Sequence, residues 1–277
     1  MTIRPIAFTG AMVSALLDGR KTQTRRVLAS LRGLGKITEF GPSDTNGYDW
    51  HCRDREMRFH DLRDADMRER LPYAVGDLLY VRECWRTMAN WDDQSPSDLM
   101  ASNALWPGHE VAPLPRRYDA DGFETGVIRE ENYPFEMGRL RAAMHMPKRL
   151  SRITLKVTDV RVERVQEISE ADAKAEGLEW YDDDDRPDRD SGYVLYPRKG
   201  PPGAIGVTSR DARLAFNYLW DSINSPRGFG WQENPWVVAI SFSVIRANVD
   251  QLPGPQAKAE NTQRACEPQQ QEMQDNE

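Results

Sequence analysis

Between Ile153 and Val162 the chain alternates apolar and polar residues, with Ile153, Leu155 and Val157 on one parity and Val160 and Val162 on the other. A two-residue period is a strand signal, and the parity change at Thr158-Asp159 predicts a bulge or bend. Val238, Ile240, Phe242 and Val244 repeat the pattern against Ala239, Ser241 and Ser243. Leu78 to Glu83 reads as a further strand entered through a Gly76-Asp77 turn, and Ile6 and Phe8 mark a short one near the start. Bent strands of this kind, separated by few helices, point to an α+β fold built on a small mixed β-barrel.

The helical signals are short. Met12, Val13, Leu16 and Leu17 share helical spacing, and Gly19 fits the position just past the helix end. Ser169-Glu170-Ala171-Asp172 resembles a capping box opening a short helix that Gly177 can close. Ala212, Ala215, Phe216, Leu219, Trp220 and Ile223 form the most regular apolar stripe in the chain. Leu31 to Asp66 is rich in glycine and charge and reads as an irregular connection. These signals predict one domain over residues 1–246, interrupted by insertions at about 85–146 and 181–205.

The chain carries 37 Lys+Arg against 44 Asp+Glu, a formal charge of −7. That balance argues against coating nucleic acid through a bulk positive field. The acid is concentrated in two places. Residues 182–190 hold six acids and two bases, as do residues 247–277, the latter with Gln269-Gln270-Gln271 and almost no large apolar residues. The first reads as a solvated loop and the second as a disordered acidic tail. Setting both aside leaves +1, and the first 33 residues carry +5. No stretch reaches the roughly 18 to 20 apolar residues of a membrane span, and the N-terminal segment lacks a secretory h-region. With three cysteines at no pairing interval, a reducing cytoplasm is the expected compartment.

The densest polar constellation is Lys21, Thr24, Arg25 and Arg26, directly after a helix end. A lysine beside other cations has a depressed pKa and can activate a hydroxyl, while arginines supply fixed charge for phosphate or an oxyanion. The alternative is a solvated polar strand. Glu176 ends its helix where the macrodipole disfavours an acid, a placement that suits a general acid/base; the alternative is an exposed side chain offset by Lys174. Glu83 is a second candidate carboxylate, or an ion-pair partner of Arg82 or another cation. His51, His60, His109 and His145 form no ligand pattern, so neither metal nor cofactor is expected. Trp220, Phe229, Trp231 and Trp236 read as a base-stacking platform or as core.

Gly19, Lys21, Thr24 and Arg26 meet all four fixed positions of Gly-x-Lys-x-x-Thr-x-Arg, which resembles the signature of the ASCH domain family, small barrels similar to the PUA RNA-binding fold. Gly76 to Val81, Ile153 to Val162, Ile168 to Gly177 and Trp236 to Phe242 extend the likeness over about half the chain, in discontinuous pieces. Met146-Pro147-Lys148-Arg149 and Trp220 to Asn224 are similar to long bacteriophage and prophage members. One compact branch comprises amidohydrolases that deacylate N(4)-acetylcytidine. The resemblance implies a hydrolase with catalytic Lys21, Thr24 and Glu176, and Arg26 binding phosphate or shaping the pocket; Arg25 is a further cation for substrate phosphate. The implied partner is a modified nucleoside or RNA. A non-catalytic RNA-binding module and a phage assembly or interaction protein are the rival readings.

Overall fold

The computed structural model describes residues 1–102, 116–121, 124–125, 136–181, 192–194 and 209–252. In chain order the elements are β1 (Ile3–Ala7), α1 (Gly10–Leu17), β2 (Gln23–Val27), β3 (Ser30–Leu31), β4 (Gly35–Pro42), β5 (Trp50–Asp54), β6 (Phe59–Leu62), α2 (Asp64–Arg70), β7 (Leu78–Arg82) and β8 (Trp85–Arg86). There follow α3 (Pro96–Ser102), β9 (Arg116–Tyr118), β10 (Glu124–Thr125), β11 (Thr154–Arg164), α4 (Glu170–Ala175), β12 (Glu179–Tyr181), β13 (Gly192–Val194), α5 (Ala212–Asn224) and β14 (Trp236–Ile245). The architecture is α+β. The acidic segment 182–190 and residues 253–277 lie outside the described residues, as do 103–115, 122–123 and 126–135 of the first insertion.

Five strands form the central sheet in the order β1-β7-β11-β14-β2. β1 runs parallel to β7 and every other pairing is antiparallel. The register of β11 on β14 shifts between Val157 and Asp159, where the parity of the sequence changes. Ile153, Leu155 and Val157 of one parity join Val237, Val238 and Ile240, from a stretch of β14 buried on both faces, in one core with Leu16, Phe216 and Trp220 from the helices. Among the described residues the expected barrel does not close, because no ladder joins β1 to β2. A side chain spans the gap instead: the Arg26 guanidinium donates to the Ala7 carbonyl at 2.8 Å and lies 5.2 Å from the centre of the Phe8 ring.

Residues expected to form an irregular connection build a four-stranded sheet, β3-β4-β5-β6. Each strand commits little to the core, mainly Leu31, Phe40, Cys52 and Leu62. Phe40 and Trp50 stack at 5.2 Å, and both meet Trp236 edge-on, which docks this sheet on the end of β14. Trp85, Leu99, Tyr118 and Met146 of the first insertion form a separate core with Leu150, just beyond it. Past Ala247, where the tail was expected to begin, the chain stays packed through Leu252. Val249 is buried with Leu78 and Tyr80, and the Asn248 side-chain amide donates to the carbonyls of Lys148 and Ser151. No described helix is long and apolar enough to cross a membrane.

Candidate functional site

The site forms where two short helices end against the edge strand β2. Thr9 caps the start of α1. At its other end Gly19 takes φ +76, which only a residue without a Cβ adopts freely, and turns the chain so that the Lys21 amide donates to the Ala15 carbonyl at 3.0 Å. α4 begins at Ser169, whose hydroxyl accepts from the Asp172 amide, and ends at Glu176. Lys21 and Glu176 form an isolated antiparallel bridge, and the Thr22 amide donates to Ala175 O at 2.9 Å. Gly177 permits this approach: with φ +103, a Cβ there would stand 2.9 Å from the Ala15 Cβ and 3.1 Å from the Lys21 Cβ.

Lys21 is wholly buried, which sets aside the solvated-strand alternative. Its ammonium donates to Glu176 Oε2 at 2.7 Å and to the Glu176 carbonyl at 2.8 Å. Burial is the largest influence on its pKa and lowers it; Arg26 and Arg25 push the same way, while Glu176 opposes them without restoring the ordinary value. The acid at the end of α4 is therefore answered by buried cations. Lys174, the offset weighed from sequence, pairs with Glu170 at 2.7 Å.

Arg25 completes the network. Its guanidinium meets Glu176 Oε1 at 3.2 Å, Glu163 Oε1 at 2.7 Å and Asp172 Oδ2 at 3.0 Å, and donates to Gln23 Oε1 at 2.6 Å. The group expected to serve substrate phosphate is thus surrounded by carboxylates. Glu83 is buried and clamped by Arg152 at 2.8 and 2.9 Å, in a tie between the end of β7 and the residues that lead into β11. Burial pushes its carboxyl up, against the pull of Arg152.

A cavity of about 220 Å³ opens beside this network. Thr24, Arg25, Arg26 and Glu176 line it on one side, and Phe216, Leu219, Trp220, Ile223, Asn224 and Arg227 on the α5 side. Thr24 is buried and lines this cavity. Lys21 is not part of the lining and makes no hydrogen bond to Thr24; it stands behind Glu176, whose carboxylate connects it to the cavity. The chemistry available is a hydroxyl and a carboxylate facing one space, with a lysine of lowered pKa in contact with that carboxylate. Such a chain can take up and return a proton.

The aromatic residues do not make one platform. Trp220 lines the cavity and donates to Phe229 O at 2.8 Å, Trp231 packs on Phe216, and Trp236 belongs to the Phe40 and Trp50 cluster. Among the described residues no group of three or more His, Cys, Asp or Glu side chains converges as a metal would require. His109 lies outside those residues. Sequence reasoning missed Arg227 and quoted Asn224 only within the Trp220 to Asn224 likeness, without a role; both lie at and just after the end of the apolar α5 stripe. Comparison with family models, with curated proteins and with solved structures found no match.

Proposed function

We propose that the chain is an ASCH/PUA-like amidohydrolase that removes an acyl group from an N(4)-acylated cytidine or a related base. The observation that carries the reading is the buried Lys21–Glu176 pair at 2.7 Å, abutting a small cavity that Thr24 also lines. In the proposed reaction Thr24 Oγ attacks the acyl carbonyl, and Glu176 accepts the hydroxyl proton. The C–N bond then breaks and the proton passes to the leaving exocyclic amine. Water cleaves the resulting ester, releasing the carboxylic acid and returning the proton to Thr24. Lys21 acts on Glu176 rather than on Thr24, holding the carboxylate in place. Arg25 positions Glu176 from the other oxygen.

The test is conversion of N(4)-acetylcytidine to cytidine by the purified chain, followed by chromatography. Thr24→Val and Glu176→Gln are expected to abolish turnover while circular dichroism stays that of the parent. No product at high enzyme concentration over hours overturns the reading for this substrate, and full turnover by Thr24→Val overturns the role given to its hydroxyl. RNA binding without catalysis draws on the same cations, but Arg25 is already committed to Glu163, Asp172 and Glu176.

A further inference from the structure

Two arginines at the cavity differ from every other charged group there. Arg227 is exposed and Arg26 half-buried, so they stand where the cavity meets solvent, whereas Thr24, Arg25, Glu176, Phe216 and Trp220 are buried deeper. Neither is ion-paired among the described residues. Arg26 is held by the Ala7 carbonyl and the Phe8 ring, and Arg227 makes only a 3.4 Å contact to the Asn224 side-chain carbonyl. Both line the one cavity; burial, the largest influence, lowers the pKa of Arg26, Tyr73 and Glu176 oppose it, and Arg227 adds a smaller lowering. Glu176 lines the same cavity and attracts Arg26 from a distance, but it is paired with Lys21 and Arg25, and two like charges at one opening with no carboxylate in direct contact are unfavourable unless an anion joins them. Arg25, by contrast, has three carboxylate partners.

Size gives the second argument. At about 220 Å³ the cavity is smaller than the roughly 300–1,000 Å³ of sites that enclose a whole drug-sized ligand. It can hold a ring-sized group against Phe216 and Trp220, leaving the remainder of the molecule at the opening. We propose that Arg26 and Arg227 form a phosphate subsite, so that the substrate is an acylated pyrimidine nucleoside monophosphate rather than the free nucleoside. A phosphate monoester carries close to two negative charges at neutral pH, since its second pKa is about 6, and matches a pair of guanidinium forks. An internal phosphodiester of RNA brings one charge. This inference rests on the amidohydrolase reading and narrows its substrate.

The experiment compares kcat/KM for N(4)-acetylcytidine, its 5′-monophosphate and a short acetylated oligoribonucleotide, in the full chain and in Arg227→Gln. Calorimetric binding of cytidine and of cytidine 5′-monophosphate is measured alongside. The monophosphate is expected to be preferred by about tenfold or more over the nucleoside, with that preference weakening as salt rises. Arg227→Gln should lower kcat/KM for the monophosphate about tenfold more than for the nucleoside. Equal rates on the two, equal losses in the variant, or preference for the oligonucleotide overturns the proposal while leaving the amidohydrolase reading intact. If none of the three is hydrolysed, that reading falls, and calorimetry judges the subsite alone. Tighter binding of the monophosphate, lost in Arg227→Gln, sustains the subsite; equal or absent binding of both ligands overturns it.

Discussion

At the scale of single residues, the central energetic fact is a lysine and a glutamate withdrawn together from water. Removing one member of such a buried pair costs about 3 kcal/mol or more, and Arg25, which stays on Glu176 when Lys21 is removed, keeps the cost at the low end. Lys21→Met is therefore expected to lose about 3 kcal/mol in urea unfolding, and the double variant Lys21→Met/Glu176→Leu less than the sum of the two single changes. The lowered pKa of Lys21 has a sign that can be worked out. Between its value in the folded chain and the ordinary 10.5, the unfolded chain binds a proton that the folded chain does not. Stability should thus climb with pH across that window and level off above it. The parent should show this climb relative to Lys21→Met, and kcat/KM should fall along a limb lying below 10.5, where the ammonium that holds Glu176 is lost, a limb that the variant lacks. A parent and variant with superimposable pH profiles would refute the role given to Lys21.

At the scale of elements, the site depends on how closely α1 and α4 meet. Gly177→Ala adds a methyl group to a positive-φ position and drives it against Ala15 and the Lys21 stem. A cost of about 2–4 kcal/mol is expected from strain and overpacking together, read as a lower thermal midpoint. The bulged β11 and the α5 stripe were readable in the sequence because each commits several residues to periodic faces, and α4, which buries only Ala173, was readable from its Ser169 cap and closing Gly177. The β3 to β6 sheet was not. Its strands bury few apolar side chains each, and the β5–β6 turn is held partly by polar contacts to Asp54 from Arg58 and His60. Hydropathy cannot register such contacts. The pairing of Lys21 with Glu176 was suggested by a misplaced acid and a motif resemblance, whereas Arg227 sits on a 3-10 turn whose neighbours are set by tertiary packing alone.

At the scale of the whole molecule, the central sheet and the first insertion keep separate apolar cores. Glu83, at the end of β7, reaches Arg152, which also pairs with Asp121 and lies 4.2 Å from the centre of the Tyr118 ring. Glu83→Gln should cost about 2 kcal/mol and expose the Trp85 cluster before the central sheet unfolds. Tryptophan fluorescence would then change at lower urea than the far-ultraviolet signal, and coincident transitions in the variant would refute the coupling. The net charge of −7, which argues against coating nucleic acid through a bulk positive field, leaves room for a focused basic opening once the acidic segments are set apart. The open β1 edge also shows why an alternation pattern cannot announce closure: whether the ends of a sheet pair depends on which neighbours lie between them.

The pairing of β2 with β14 joins residues 23–27 to residues 237–241, and Lys21 waits for Glu176 in the same way. A chain leaving the ribosome therefore exposes its N-terminal basic segment long before either partner exists. At the usual rates of synthesis, about 5–20 residues per second, that interval is on the order of 10–40 s. Over that time the buried lysine of the finished protein is an ordinary solvated cation, so the candidate centre comes into being only as translation of the last strand is completed.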